Sequence, residues 1–393
     1  MAVINRISGF SDEMSGWRRH LHAHPEIGLD CFQTAEFVVE KLREFGVDQI
    51  ETGVARSGVV AVIEGRGDGP AIGLRADMDA LPMDDLSGAD HASTVPGRAH
   101  ACGHDGHTTM LLGAAKYLAE TRNYAGRAVL FFQPAEEGPG GARLMVEEGV
   151  LDRYDVAEVY ALHTLPGAPE GTFETTPGPI MAAVDTLHIN VLGQGGHAAM
   201  PHEARDPIPA AVAMVQAIQT IVTRDRDPLD DLVISVTQVH AGSADNVIPD
   251  GAYVGATIRT FSADVQAMVH RRLREVAEGV AAAHGVRARI EIEVGYPPTI
   301  NAAKPTDFAC EIAREVVGKA AVTADRRREM GAEDFAYMLA ERPGSYLFLG
   351  QGEGPGLHHP GFDFNDAVAP VGASFFARVV ERALPLVGDA TGA

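Results

Sequence analysis

Ala71-Ile72-Gly73-Leu74-Arg75-Ala76, followed at once by Asp77-Met78-Asp79, is the stretch on which the fold turns. A short apolar run of this kind reads as a strand buried on both faces. Residues 58–63 (GVVAVI), 128–132 (AVLFF) and 158–162 (EVYAL) read the same way. Before and between them lie segments with apolar residues at helical spacing: 34–45, which Gly46 stops, and 107–119 (HTTMLLGAAKYLA). This βαβ rhythm predicts an α/β domain with a mostly parallel sheet covered by helices. Such sheets bind ligands outside the carboxyl ends of their strands. Asp77 and Asp79 follow one strand, Glu136 and Glu137 the next, and His163 a third.

The pattern changes near Asp185. Residues 186–192 alternate like a strand, 207–223 read as a helix, 232–239 and 252–261 as two strands, 264–283 as a long helix, and 286–294 alternate again. The order β-α-β-β-α-β predicts a ferredoxin-like α+β unit. Tyr296-Pro297-Pro298 then returns the chain to the first domain, with a helix near 306–317 and a strand at 346–349. The expected organisation is therefore a discontinuous domain, 1–184 with 296–393, and an inserted domain, 185–295.

A chain of 393 residues exceeds one compact core. A net charge of −22 argues against nucleic acid or an anionic membrane as partner. No apolar run reaches the roughly 18 residues that a membrane span requires. Three scattered cysteines, Cys31, Cys102 and Cys310, do not build a disulfide framework. These features predict a cytoplasmic protein.

The chemistry is concentrated in Ala101-Cys102-Gly103-His104-Asp105-Gly106-His107. Thiolate and imidazole are preferred donors for zinc and similar ions. In a turning segment, Cys102 and His104 can face one side. Glu136 and Glu137 repel each other unless a cation lies nearby. One of such a pair can ligate metal while the other abstracts a proton from water. His163 ends a strand, and His358 follows a Gly-rich loop, with His359 beside it as a competitor. Asp79 is read as the carboxylate that orients a ligand histidine. The glycines at 193, 195 and 196 allow a backbone to approach a ligand near His197, but a plain turn fits the same residues.

The segments RADMDALPM, HACGHDGH, QPAEEGPGGA, ALH, GQGGHAAMPH, DNVIPD, TIRTF, GAEDFAYM and LHHPGFDFND occur in this order over nearly the whole chain. Together they resemble the aminoacylase and hippurate hydrolase family of metal-dependent amidohydrolases, which includes hydrolases of auxin–amino acid conjugates. The resemblance implies a zinc-peptidase-like catalytic domain with an inserted lid. It implies Cys102, His104, Glu137, His163 and His358 as ligands of a divalent metal, two ions per subunit, drawn from Zn, Mn, Ni or Co. Glu136 would be the general base, and His197 would stabilise the oxyanion. Asn246 and Arg259 would bind the carboxylate of a small N-acyl amino acid. In some relatives the lid also forms a homodimer contact. His359 departs from the pattern, because many relatives carry a small residue there. Five donors cannot fill two ions without sharing, so a bridging thiolate or water is expected. Dipeptides and N-carbamoyl amino acids are alternative substrates on the same fold, and a metal-binding protein without turnover is the alternative of another class. Glu136, which metal binding does not need, argues against that last reading.

Overall fold

A computed structural model of the chain describes residues 3–386. The chain divides into two compact units. One holds the chain up to Ile180, Thr299–Arg327 and the chain from Asp334 onward; the other holds Met181–Pro298 and Arg328–Glu333.

The larger unit is built on an eight-stranded sheet. Its spatial order is Gln49–Val54, Gly58–Glu64, Arg127–Gln133, Ala71–Asp77, Val156–Leu165, Gly344–Gly350, Phe173–Glu174 and Val322–Thr323. The four central strands, from Arg127–Gln133 to Gly344–Gly350, run parallel. Gln49–Val54 and Gly58–Glu64 form an antiparallel hairpin, and Gly58–Glu64 is also antiparallel to Arg127–Gln133. Every residue of Ala71–Asp77 and Gly344–Gly350 is buried. Fully burying a Leu or Phe contributes about 1.5–3 kcal/mol, so these runs anchor the unit. The helices His104–Thr121, Ser11–Ala23 and Ala369–Ala383 pack against one another. The parallel strands place the ends of Arg127–Gln133, Ala71–Asp77, Val156–Leu165 and Gly344–Gly350 along one edge of the sheet, and the polar turns emerge there.

The smaller unit has a four-stranded antiparallel sheet in the order Leu232–Ala241, Gly251–Thr260, Ala183–Leu192, Arg287–Val294. Leu187, Ile189 and Val191 alternate onto the face that packs with the helices Pro207–Thr220 and Ala263–Ala283. Strand and helix order match the ferredoxin-like pattern. The first and last strands of this unit are neighbours, with Asp185 opposite Val294. The separate segment Arg328–Glu333 joins this sheet's entrance: the Ala182 amide donates to the Gly331 carbonyl at 2.8 Å, and the Arg328 guanidinium lies 4.5 Å from the Phe261 ring centre.

Candidate metal centre

Gly103 bends the chain between Cys102 and His104. Its φ of 85° is left-handed, and a Cβ there would lie 2.6 Å from Thr164 Cγ2. Only glycine fits without strain. His104 then opens the helix His104–Thr121. Its Nδ1 donates to the Asp79 carbonyl oxygen at 2.8 Å. His163 lies within the strand Val156–Leu165 rather than beyond its end, and its Nδ1 donates to the Thr164 carbonyl at 2.7 Å. A neutral imidazole carries one N–H, so both rings keep Nε2 as a lone-pair donor. Cys102 Sγ is 3.5 Å from His163 Nε2.

Among the described residues, four donor groups lie in the larger unit; one, Asp77 with His104 and His107, is closed by its own hydrogen bonds, and the other three converge. They are Cys102 with His104 and His163, Cys102 with Glu137 and His358, and His104 with Glu136 and Glu137. Within each group the candidate ligand atoms lie within 4.8 Å of one another. Cys102, His104 and Glu137 each belong to two of these three, which is what neighbouring ion sites with a shared ligand require. His107 is no donor here. Its Nδ1 donates to Asp77 Oδ1 at 2.6 Å, and its Nε2 accepts from the Thr164 amide at 2.9 Å.

Glu136 and Glu137 sit on a turn held from both ends. Ala135 has a left-handed φ of 60°, and its carbonyl accepts from the amides of Gly140 and Gly141 at 3.2 and 3.1 Å. A Cβ at Gly141 would fall 1.7 Å from the Pro134 oxygen. Asp79 Oδ1 accepts from the Glu136 amide at 2.9 Å, and Oδ2 from the Glu137 amide at 3.1 Å. The Asp79 carboxylate therefore fixes the glutamate turn, while its backbone carbonyl orients His104. The sequence pattern assigned the second task to the carboxylate. His358 also has φ of 60° and is tied by its amide to the Ala101 carbonyl at 2.7 Å. Its Nε2 lies 2.9 Å from Glu137 Oε1, though outside hydrogen-bonding geometry. His359 turns away and accepts the Gly361 amide on Nδ1 at 3.0 Å. Left-handed residues other than glycine cost about 1–3 kcal/mol each and gather at functional sites.

Beneath the donors lies a buried network with no local signal in the sequence. Arg75 donates to Asp77 Oδ2 at 2.7 Å, to Gln133 Oε1 at 2.7 Å and to Asp334 Oδ1 at 2.9 Å. Asp334 Oδ2 also accepts the Ala142 amide at 2.9 Å, next to the glutamate turn. Asp334 belongs to the GAEDFAYM segment, so the motif was visible but its purpose was not.

Burial and neighbouring charges pull these donors in different directions. Burial pushes the Cys102 thiol well up. Burial opposes charge on His104 as well, yet Asp77 and Cys102 raise it well above the ordinary histidine range. Burial pushes His163 well down, with His107 adding to the effect. Glu137 is held low, against burial, by His358 and His104. His104 Nε2 and Glu137 Oε1 are buried without a hydrogen-bond partner. Such atoms are costly unless something pairs them. A divalent cation would pair both and would stabilise the Cys102 thiolate, so the residues fit the group.

In the smaller unit, His197 and Asn246 come together on one ribbon. His197 pairs with Val247, and the Ala198 amide donates to the Asn246 carbonyl at 3.1 Å. His197 is exposed, and its Nδ1 accepts the Ala199 amide at 3.1 Å. Arg259 does not join them. It lies near the far end of the strand Gly251–Thr260, between Val184 and Val233, whereas the ribbon adjoins Gly251. Eight residues of strand separate Gly251 from Arg259, about 26 Å at ~3.3 Å per residue. Arg259 is partly buried and has no carboxylate partner among the described residues, and burial lowers its pKa.

A central parallel sheet whose strand-end turns gather thiol, imidazole and carboxylate donors defines a metallopeptidase-like hydrolase. Comparison with known proteins agrees. The model of peptidase family M20/M25/M40 matches residues 73–382, and the chain belongs to this family. It is 37% identical to a hippurate hydrolase of Campylobacter jejuni over 98% of this chain and 100% of the relative. It is 40% identical to an N-acetyl-L-cysteine deacetylase of Bacillus subtilis over 94% of this chain and 88% of the relative. Among solved structures, the YXEP protein of Bacillus subtilis, described as a dinuclear metal-binding peptidase of family M20, aligns with a TM-score of 0.84 and 33% identity, covering 96% of this chain and 99% of that one. Among the described residues, no helix is long and apolar enough to cross a membrane.

Proposed function

We propose that this chain is a metal-dependent amidohydrolase that splits N-acyl amino acids into a carboxylic acid and a free amino acid. The observation that carries this reading is the convergence of Cys102, His104, Glu137, His163 and His358, with Glu136 beside them on a turn fixed by Asp79. These five residues are assigned to hold two divalent ions, of Zn, Mn, Ni or Co. Bound there, the ions supply Lewis-acid activation of water and of the scissile carbonyl. Glu136 takes a proton from the attacking water and delivers it to the leaving amine. Asp79 keeps that carboxylate in place through the Glu136 amide. The catalytic domain is assigned to 1–184 with 296–393, and the lid to 185–295.

On the lid, His197 donates to the oxyanion, while Arg259 and Asn246 recognise the substrate carboxylate. The planar fork of arginine matches a carboxylate. Arg259 lies too far from the His197–Asn246 ribbon for one lid to place all three on one small substrate. A homodimer through the lid resolves this, with Arg259 from one subunit and His197 with Asn246 from the other. The cytoplasm, where a thiol ligand stays reduced, is the proposed compartment.

A panel of N-acyl amino acids, dipeptides and N-carbamoyl amino acids, offered to metal-reconstituted protein, tests the reading. N-acetyl and N-benzoyl amino acids should be hydrolysed fastest. A preference for dipeptides or N-carbamoyl compounds would change the substrate class, and the absence of any turnover would reject the enzyme.

A further inference from the structure

No residue of Trp17–Ile27 enters the donor groups, yet this segment carries a buried arginine and a buried histidine paired with acids. Arg18 and His22 are each 1% exposed and stand one helical turn apart on the helix Ser11–Ala23. His22 Nδ1 meets Asp105 Oδ2 at 2.7 Å. Its Nε2 lies 3.2 Å from Asp85 Oδ2, at ion-pair distance although off the hydrogen-bond direction. An ionised carboxylate can only accept. A neutral ring could donate to Asp105 but would turn a lone pair toward Asp85. Both contacts are favourable only for the doubly protonated imidazolium. Arg18 reaches the opposite side, with Nη1 at 2.6 Å from Asp363 Oδ1 and Nε at 2.5 Å from Asp366 Oδ1. His91 Nε2 also contacts Asp363, at 3.1 Å, and His100 packs nearby without a hydrogen-bond partner.

The acids gripped by these two cations lie on three segments. Asp105 follows His104 directly. Asp363 and Asp366 lie on the loop that leaves His358. Asp85 anchors the loop that binds the other two together: its oxygens accept the Ser87 and Ser93 amides at 2.8 and 2.7 Å, and the Leu86 amide donates to the Pro360 carbonyl at 2.7 Å. We infer that His22, as a buried imidazolium working with Arg18, is a positioning residue that sets the Cys102–His104 turn and the His358 loop at the spacing a metal ion needs. This rests on the ligand assignment proposed above.

Cobalt(II) serves as the probe, because its band from thiolate ligation reports Cys102. In the full chain at pH 7, nitrogen-15 NMR should show both ring nitrogens of His22 protonated. His22→Gln, which is neutral and offers no second cationic N–H, should weaken cobalt(II) binding by about 10–100-fold, the usual cost of losing an outer partner of a metal ligand. It should also alter the thiolate band, which a purely structural loss of stability would leave unchanged in the folded fraction. A neutral His22 in the NMR spectrum overturns the inference even if His22→Gln fails to fold. So does cobalt affinity within twofold of the parent. Cys102→Ala run alongside separates the two claims. If it binds cobalt as tightly as the parent, the ligand assignment fails and the inference with it. If it loses cobalt while His22→Gln does not, only the positioning role fails.

Discussion

His104 gives its Nδ1 proton to the Asp79 carbonyl, while the Asp79 carboxylate holds the amides of Glu136 and Glu137. One residue thus sets the angle of a donor imidazole and the position of the acidic pair. Asp79→Asn keeps the carbonyl but turns one carboxylate oxygen into an amide that cannot accept. The Glu136–Glu137 turn should loosen while His104 stays oriented. Activity should fall by about 10–100-fold, the usual effect of losing an outer partner of a metal site, with metal affinity falling less than in His104→Ala. A loss of metal as large as that of His104→Ala would show that the carboxylate, not the carbonyl, governs His104.

Metal content should depend on Cys102, His104, Glu137, His163 and His358. Elemental analysis of single alanine variants checks this. Full occupancy in both Cys102→Ala and His358→Ala would reject the ligand set. Retention in His358→Ala with loss in His359→Ala would move the role to His359, against the geometry that turns His359 toward the Gly361 amide.

Glu136→Gln preserves shape and removes the base. Activity should fall by about 10²–10⁴-fold, with metal content and substrate binding unchanged. A loss smaller than threefold would assign the proton to another group.

A mixture of inactive His197→Ala and inactive Glu136→Gln subunits should regain part of the activity. The reason is the roughly 26 Å of strand between Arg259 and the end that carries the ribbon. In a mixed dimer, one site receives an intact Glu136 and an intact His197. Verified mixed dimers with no activity would place His197 in its own subunit's site.

The metal-free protein should lose stability as it is acidified below about pH 6.5. His100 is buried with neither ring nitrogen hydrogen-bonded, and burial pushes its pKa down to about 3. Between those two values the unfolded chain takes up a proton that the folded chain refuses. The folded state therefore loses about 1.4 kcal/mol per pH unit from this group as pH falls through the window. Denaturant unfolding from pH 7 to pH 4 should show the slope, and His100→Leu should flatten it by one proton. An unchanged slope in that variant would show that His100 is already charged or already solvated in the fold.

Much of this molecule was legible in its sequence because the decisive signals were local. Ala71–Asp77 and Gly344–Gly350 are continuous apolar runs, and parallel strands buried on both faces have that appearance. Gly58–Glu64 has the same appearance but belongs to an antiparallel hairpin. Burial alone does not encode strand direction. Donor types and strand-end placement marked Cys102, His104, Glu137, His163 and His358, and the structure brings all five into groups that share members. Asp79 is read from the sequence as a carboxylate that orients a ligand histidine; in the fold its carbonyl accepts from His104 Nδ1 at 2.8 Å and its carboxylate lies 3.5 Å from the same nitrogen, and nothing in the sequence tells the two contacts apart. The pairings of Arg75 with Asp334, and of Arg18 with Asp363, span hundreds of residues. The partner of each cannot be read until the fold brings the segments together. The separation of Arg259 from His197 was hidden for the opposite reason: TIRTF and GQGGHAAMPH are both strong motifs, but register alone shows that Arg259 lies at one end of its sheet while His197 lies on a separate ribbon that adjoins the other end.

The neighbouring first and last strands of the smaller unit carry a consequence for how such a chain could have arisen. Asp185 faces Val294, and just outside that pair the Val184 amide donates to the Tyr296 carbonyl while the Gly295 amide donates back to Val184. The insert enters and leaves through a two-stranded neck. Its host had to open no wider gap than a hairpin turn fills, so inserting more than a hundred residues cost little additional loop-closure entropy. A neck of this kind makes the insert a cassette. Its loops and exposed sheet face can be exchanged or redesigned while the turns that carry Cys102 and Glu137 and the strand that carries His163 keep the same chain path. Sequence change can then accumulate in one part of the chain while the donor residues stay fixed in another.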